Sequence, residues 1–280
     1  MRYPAASVQL AMASSSSQLI PSTTLAKRIA DEFASLPQVA AIALAGSRMS
    51  EFPDGSSDID LYVYVTDGIP LDLRAAIAAG SPRAEIGNAT WEPGDEWIDA
   101  ASGIAVDVMY RHDRWIEEQL NRVLVRHEAS AGYSTCFWYN VMHSQALFDR
   151  TGWFADLQRK ARQPYPAELK RAIIAKNYRL LRDTQSSYLH QIELAAKRDD
   201  PVSVNHRVAA LLASYFDVLF ALNERPHPGE KRLLQHAARL PKLPREFERQ
   251  VEAVIAAVAA GDVVRRVNEL VHGLEVLLES

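Results

Sequence analysis

The stretch that decides the fold spans residues 39–65 and reads VAAIALA, GSRMSEFPDGSS and DIDLYVYV in succession. Two short apolar runs at residues 39–44 and 61–65 are rich in β-branched, aromatic or other apolar residues and predict two strands. The polar stretch between them contains glycine, serine and proline, which are typical of a loop. We therefore expect a strand, a long loop and a second strand.

The second strand begins with two aspartates, Asp58 and Asp60. Residues two apart in a strand face the same side, so the two carboxylates are presented together. Adjacent like charges are costly to hold without a cation, and oxygen ligands favour Mg²⁺ or Mn²⁺. Upstream, Gly46 allows close backbone approach to a ligand, and Ser47 offers a hydroxyl and an N–H that suit a phosphate oxygen.

A third acid, Asp107, lies between two valines in a run at residues 104–110 that predicts another strand. An acid with apolar strand neighbours must be paired, exposed on one face or bound to a ligand. If its strand lies beside that of Asp58 and Asp60, three carboxylates converge and can hold two divalent ions. The alternative is an acid on an edge strand that faces solvent.

Four further acids precede Asp107, and two explanations stay open for them. They form a solvated acidic loop, or one of them supplies a general base for an acceptor hydroxyl. Asp107 itself can also take the proton, so the base is not assigned. The four acids are Glu92, Asp95, Glu96 and Asp99.

Two cations are candidates for phosphate contact. Arg48 follows the Gly-Ser pair and either contacts phosphate or faces solvent. Lys231 follows a Pro-Gly turn where a helix is expected to begin. A cation there opposes the helix dipole unless an anion or an acid such as Glu230 compensates it, so Lys231 either contacts phosphate, the role we favour, or lies on a solvated helix face.

Composition narrows the class of protein. The chain has 280 residues, 48% of them apolar and 24% charged, as in ordinary globular proteins, and its only cysteine, Cys136, excludes an intrachain disulfide. A single cysteine suits a reducing compartment, so we expect a cytoplasmic protein. A membrane partner is not expected, because no apolar run approaches the length of a membrane span. Residues 1–20 are expected to be a flexible leader. Nucleic acid is not expected as a partner, since lysine and arginine are spread along the chain.

The chain predicts two folded domains. Strand and helix patterns alternate up to about residue 163, whereas helical periodicity dominates from residue 167 onward. We place an α/β domain at 21–163 and a helical domain at 164–280.

Charge is distributed unevenly along the chain. The first 150 residues carry 11 basic and 19 acidic side chains, and the remaining residues carry 20 basic and 16 acidic side chains. An acidic half beside a basic half suits metal and phosphate binding, although two unrelated charged surfaces are the simpler explanation.

The Gly46-Ser47 pair, ten intervening residues, the Asp58-Ile59-Asp60 motif and Asp107 on a later strand together resemble the nucleotidyltransferase superfamily. That superfamily includes DNA polymerase β and the aminoglycoside nucleotidyltransferases. Shorter strings at residues 91–97, 106–111 and 227–232 resemble a narrower branch of unknown function, DUF4037.

The resemblance implies an α+β fold, in which a small mixed β-sheet with flanking helices is followed by an all-α helical bundle. It implies that Asp58, Asp60 and Asp107 are metal ligands and catalytic residues. It also implies that Gly46 and Ser47 hold the terminal phosphates of a nucleotide. Template-directed synthesis is not expected, because a DNA-binding helix-hairpin-helix is not recognisable.

The sequence therefore predicts a nucleotidyltransferase that uses Mg²⁺ or Mn²⁺ and takes AMP from ATP. The acceptor is a hydroxyl of a small molecule, such as an aminoglycoside-like antibiotic, or of a protein, and pyrophosphate is released. The alternative is an antitoxin-like or partner-binding module that binds nucleotide without turnover. Apolar C-terminal helices leave open the pairing of two copies into a homodimer.

Overall fold

The chain forms two compact units in a computed structural model that describes residues 23–45, 58–90 and 92–279. The first, here called the sheet unit, comprises Met1–Glu118 and Asn140–Arg162. The second, the helical unit, comprises Gln119–Tyr139 and Gln163–Ser280. Residues 119–139 lie in the helical unit of this division.

The first part of the chain contains both strands and helices. In order they are α1 (23–34), β1 (Val39–Ala45), β2 (Ile59–Val65), α2 (Leu71–Ile77), β3 (Ala84–Asn88), β4 (Gly94–Ile98), β5 (Ala105–His112), α3 (Asp113–Leu124), α4 (Cys136–His143), β6 (Gln145–Asp149) and α5 (Trp153–Ala161).

The rest of the chain is helical. Its elements are α6 (Ala167–Tyr178), a π-helical turn (Arg179–Asp183), α7 (Tyr188–Lys197), α8 (Pro201–Leu222), α9 (Leu233–Ala237), α10 (Phe247–Ala260) and α11 (Val263–Glu279). The predicted α+β class, with a mixed sheet followed by helices, is confirmed.

The sheet has six strands in the order β3-β4-β5-β2-β1-β6. β2 runs parallel to β5, and the other neighbouring pairs are antiparallel. Parallel neighbours need a long crossover, and here α2 and the β3–β4 hairpin separate β2 from β5 in sequence. The site residues of both strands thus reach the same end of the sheet.

One face of the sheet carries the core of this unit. Ile59, Leu61 and Val63 of β2 alternate with polar or aromatic residues and pack beneath α1, whose Ile29 and Phe33 are fully buried. Burying side chains of this size stabilises the fold by roughly 1.5–3 kcal/mol each. The opposite face of β2 begins with Asp60. One face of the strand therefore packs into the core, and the other carries a candidate site residue.

The segment 92–99 differs from the expectation of a solvated acidic loop. Residues Gly94–Ile98 form β4, and Asp95 is fully buried. Its carboxylate accepts hydrogen bonds from Arg74 Nε at 2.9 Å, from the Tyr110 hydroxyl at 2.6 Å and from the Gly87 backbone N–H at 2.7 Å. A buried charge is tolerated here because a cation and three donors surround it.

The helical unit has its own core around α8. Residues from Ser214 to Ala221 are buried without interruption, so this part of α8 is enclosed on all sides. Leu270, Val271 and Leu274 of α11 belong to the same cluster. A helix that is apolar all round is a central helix, which explains why α8 lacks the amphipathic pattern of a surface helix.

Among the described residues, no helix combines the length and hydropathy that crossing a membrane requires.

Removing the buried carboxylate of Asp95 is expected to destabilise the sheet unit strongly. Asp95→Ala leaves the Arg74 guanidinium, only 12% exposed, without its counter-charge. We expect a loss of about 3–5 kcal/mol in the free energy of unfolding, measured by urea denaturation. The control is Asp156→Ala, which breaks the exposed pair with Arg159 and should cost less than about 1 kcal/mol. Equal effects of the two substitutions would contradict this account.

Candidate functional site

The three predicted aspartates lie on two neighbouring strands. Asp58 directly precedes β2, Asp60 is its second residue, and Asp107 lies in β5. In the parallel β2–β5 pair, Asp60 is the register partner of Asp107. Register partners in neighbouring strands point to the same face of a sheet, so the two strands are neighbours, which is the condition that the sequence analysis set for the three carboxylates to converge.

The same face continues across the next two strands with more carboxylates. Glu96 of β4 is the register partner of Asp107, and Glu85 of β3 is the register partner of Glu96. A row of four acids, Asp60, Asp107, Glu96 and Glu85, thus crosses β2, β5, β4 and β3. Like charges directly opposite each other weaken a sheet, so this row opposes stability rather than adding to it.

A surface pocket of about 320 Å³ opens beside this row. Four carboxylate residues line it, and its cation is Arg83, whose guanidinium lies 3.3 Å from Glu85. Apolar residues Trp97, Ile98, Ala105 and Val106 form the rest of the wall. The lining acids are Asp58, Glu85, Glu96 and Asp107.

The electrostatics of Asp107 reflect this crowding. Partial burial and the neighbouring charges of Asp60, Glu96, Glu92 and Asp58 raise the pKa of the Asp107 carboxyl to about 6. Both causes disfavour the charged form, and a nearby cation would oppose their effect on the pKa. A perturbed carboxyl group lining a pocket is a typical feature of a functional site.

The other acids of the 92–99 segment have different roles. Glu92 forms a two-pronged ion pair with the buried Arg111, with both N–O distances at 3.0 Å. Asp99 accepts from Arg28 at 2.6 Å and from the backbone and hydroxyl of Ser102. Burial opposes ionisation of Asp99, but the Ser102 hydrogen bonds and the Arg28 charge lower its pKa.

Glu96 remains the acid of that segment that is positioned for chemistry. Its side chain is exposed and lines the same pocket as Asp107. Its hydrogen bond from Asn88 Nδ2 is long, at 3.4 Å. Since Glu92, Asp95 and Asp99 are held by arginines, Glu96 is the best-placed candidate for a base.

The donor set fits a divalent cation by its chemistry. Asp58, Asp60 and Asp107 offer carboxylate oxygens on one face, which is the ligand type that Mg²⁺ prefers. The described side chains do not include a group of three or more acids, histidines or cysteines already gathered around a metal position. An ion would therefore have to draw these carboxylates together.

The remaining predicted site residues are placed differently. Gly46, Ser47 and Arg48 lie outside the described residues. Lys231 belongs to the helical unit, where it is exposed in the turn before α9. Its helix starts at Leu233, two residues later than the periodicity predicted.

Sequence reasoning missed Glu85 and the hairpin that carries it. The hairpin was overlooked because β3 is largely exposed and β4 contains two consecutive acids, which hide the usual apolar alternation. In β4, Gly94, Glu96 and Ile98 face one side of the sheet, and the buried Asp95 and Trp97 face the other. An alternation this short is a weak strand signal.

Comparisons with known proteins give two findings. Residues 138–233 match the model of a domain of unknown function, DUF4037. A solved structure of a nucleotidyltransferase-like protein from Exiguobacterium sibiricum 255-15 is similar at 14% identity with a TM-score of 0.44, covering 90% of this chain and 72% of that one. A comparison with curated proteins finds no significant match.

The resemblance to DUF4037 that the sequence analysis described is thus confirmed over residues 138–233. That segment runs from α4 to the start of α9, so it includes Lys231 but none of the three aspartates.

Neutralising Asp107 is expected to stabilise the metal-free protein at neutral pH. Its folded-state pKa of about 6 lies above the ordinary value of 3.8, so the folded state binds more protons between these values. Stability therefore falls as the pH rises through this window. A shift of this size corresponds to roughly 2–3 kcal/mol, which solvent screening of the half-exposed side chain reduces to about 1 kcal/mol.

The measurement is urea unfolding of Asp107→Asn and of the wild type without divalent metal, at pH 4 and pH 7.5. We expect the variant to be the more stable protein at pH 7.5 and the difference to shrink towards zero at pH 4. Glu85→Gln, at the exposed end of the acidic row and beside Arg83, is the control and should change little. A less stable Asp107→Asn at pH 7.5 would argue against repulsion at this position.

Proposed function

We propose that this protein is a metal-dependent nucleotidyltransferase, which moves a nucleoside monophosphate from a triphosphate onto a hydroxyl group and releases pyrophosphate. The observation that supports this proposal is the register of Asp60 with Asp107, beside Asp58, on one face of the sheet. ATP as the donor, and hence AMP as the group transferred, is part of the proposal.

Asp58, Asp60 and Asp107 are the residues proposed to hold Mg²⁺ or Mn²⁺. The bound metal would supply positive charge to the triphosphate, which is the main chemical requirement of nucleotidyl transfer. In the proposal, Gly46, Ser47 and Arg48 bind phosphate oxygens. Lys231 is proposed as a further phosphate contact.

Glu96 is proposed as the general base. It accepts the proton of the acceptor hydroxyl, whose oxygen then forms a bond to the α-phosphorus of the nucleotide. The bond from that phosphorus to the bridging oxygen breaks, and pyrophosphate carries away the electron pair. Glu96 supports this role because it is exposed, lines the pocket with Asp107 and, among the residues that the structure describes, is not held by an arginine.

The acidic row also affects which acceptor molecules the pocket favours. Glu85 and Glu96 extend the negative charge of the pocket beyond the proposed metal ligands. This charge favours an acceptor with positive charge, such as an aminoglycoside-like small molecule, over a neutral one. A hydroxyl of a protein side chain is the second acceptor class.

Metal-dependent nucleotide binding is the first expected result. Calorimetric titration with a non-hydrolysable ATP analogue should show binding in Mg²⁺ that is lost without the ion. Asp58→Asn and Asp60→Asn should weaken it at least about tenfold, because each removes a charged ligand. Glu85→Gln is the matched control on the same face and should bind as the wild type does. Absence of binding of any nucleoside triphosphate analogue in Mg²⁺ would refute the proposal.

The role of Glu96 has a separate test. Glu96→Gln should lower the rate of transfer by roughly 10²–10⁴-fold, the usual contribution of a general base, while leaving the nucleotide Kd unchanged. Transfer is followed by the mass increase of a hydroxylated cationic acceptor or of a protein. Loss of nucleotide binding in this variant would instead make Glu96 a binding residue. Tight Mg²⁺-dependent binding without transfer to any acceptor would favour the partner-binding module.

A further inference from the structure

One residue of β3 interrupts the regular pairing of the β3–β4 hairpin. Ile86 is the register partner of Asp95. The next pair joins Asn88 to Gly94, so Gly87 is an extra residue in β3. Gly87 has φ of 77°, in the left-handed region that favours glycine. These features define a β-bulge, which redirects the side chains that follow it in a strand.

The bulge brings Asn88 to the face of the sheet that carries the acidic row. In a regular strand, residues 85 and 88 would face opposite sides, because side chains alternate. With the extra residue between them, Asn88 faces the same side as its register partner Gly94. Glu96 lies on that side too, two residues further along β4. A neutral hydrogen-bonding side chain thus lies beside the carboxylates.

Buried hydrogen bonds on the other face hold the bulge. The Gly87 backbone N–H donates to Asp95 Oδ1 at 2.7 Å. Arg74 of α2 donates from Nε to Oδ2 of the same carboxylate at 2.9 Å, and from Nη2 to the Gly94 backbone oxygen at 3.0 Å. Asp95 is fully buried, so water does not weaken its hydrogen bonds. The backbone that carries Asn88 is therefore held in place.

The Asn88 side chain lies over Gly94 and reaches Glu96. Its Nδ2 donates to Glu96 Oε1 at 3.4 Å. An ionised carboxylate only accepts hydrogen bonds, so the amide nitrogen is the atom that faces it. A Cβ atom at position 94 would lie 3.8 Å from Asn88 Oδ1 and 2.9 Å from the Val108 backbone oxygen. Glycine at this position leaves the space beside Glu96 to the amide.

Glu96 needs a group that holds it in place. Its register partners Asp107 and Glu85 are both acidic and repel it. Among the described side chains, Asn88 is the one that hydrogen-bonds to Glu96. An amide orients a carboxylate without adding a positive charge, unlike the arginine that holds Glu92. The carboxylate of Glu96 therefore stays available to accept a proton.

We propose that Asn88 is a positioning residue for Glu96: its amide holds Oε1 of the carboxylate and leaves Oε2 to accept the proton of the acceptor hydroxyl. The proposal rests on the nucleotidyltransferase function and on the base role of Glu96 proposed above. The proton moves to Oε2, and the electron pair of the O–H bond stays on the acceptor oxygen, which bonds to phosphorus. Asn88 itself does not touch the reacting atoms.

The test uses two substitutions at one position of the full-length protein. Asn88→Leu has a similar volume and lacks the donor. Asn88→Gln keeps the amide on a longer side chain, which the separation of 3.4 Å accommodates, and is the conservative variant. Because Asn88 is only partly buried, both variants should unfold at the same urea concentration as the wild type.

The first readout detects the contact without any ligand. In ¹⁵N–¹H NMR spectra, the side-chain amide signal of Asn88 is the one that is lost in Asn88→Leu. Its protons should shift upfield in Glu96→Ala, because a carboxylate acceptor moves amide protons downfield. Glu85→Ala removes the same charge from the neighbouring strand and should leave the signal in place. An unchanged signal in Glu96→Ala, or equal shifts in both variants, would overturn the proposal.

The second readout is the steady-state rate of transfer from ATP in Mg²⁺ to a panel of amino sugars, followed by pyrophosphate release. We expect Asn88→Leu to lower kcat about tenfold, as for the loss of one hydrogen bond to a charged group, with the KM for ATP unchanged. Asn88→Gln should recover most of the rate. A raised KM for ATP with an unchanged kcat would make Asn88 a binding residue and overturn its positioning role.

A double variant tests whether Asn88 acts through Glu96. In the Glu96→Gln background, Asn88→Leu should cause no further loss of kcat, because the oxygen that it positions is no longer a base. Losses that multiply would contradict the proposal.

The outcomes separate this inference from the proposed function. If the wild type transfers nucleotide neither to the amino sugars nor to a protein, the proposed function fails and the positioning role falls with it. If the wild type transfers and Asn88→Leu transfers equally fast, only the positioning role fails and the proposed function stands.

Discussion

The parallel pairing of β2 with β5 is the constraint on which the proposed site depends. It sets Asp60 opposite Asp107, and a shift of one residue in this register would turn one of the two carboxylates to the other face. The register is maintained on the core face, where Ile59, Leu61 and Val106 are buried almost completely. Apolar packing on one face thus holds repelling charges together on the other.

Two neighbouring acids of β4, Asp95 and Glu96, face opposite sides of the sheet and have different surroundings. Asp95 points to the core side, where Arg74 and Tyr110 compensate its charge. Glu96 points to the pocket, where its neighbours Asp107 and Glu85 are also acidic. The first arrangement is satisfied without a ligand. The second is the kind of arrangement that a protein retains for function, because it lowers stability in the absence of a cation.

In the helical unit, one turn likewise carries a buried polar side chain and an exposed one. His227 is enclosed by Tyr133, Phe220 and Cys136, while Lys231 reaches the surface. A second buried polar network lies close by in sequence, where the Asp217 carboxylate accepts from the backbone and hydroxyl of Ser134. Buried polar side chains thus tie the segment before α4 to α8 and to the turn before α9, at a cost that only satisfied hydrogen bonds offset.

The sequence by itself determined the strands on either side of the loop and the shared face of Asp58 and Asp60, because these follow from local periodicity. The α+β class was implied by the family resemblance. The sequence also pointed to Asp107 as an acid that needed a partner. Only the tertiary structure decided which acids surround it. The hydrophobic pattern around Glu85 and Glu96 is too short to define a hairpin, and the strand order that aligns them with Asp107 depends on pairing between distant segments. The burial of Asp95 and His227 likewise depends on residues far away in the chain, which no local pattern records.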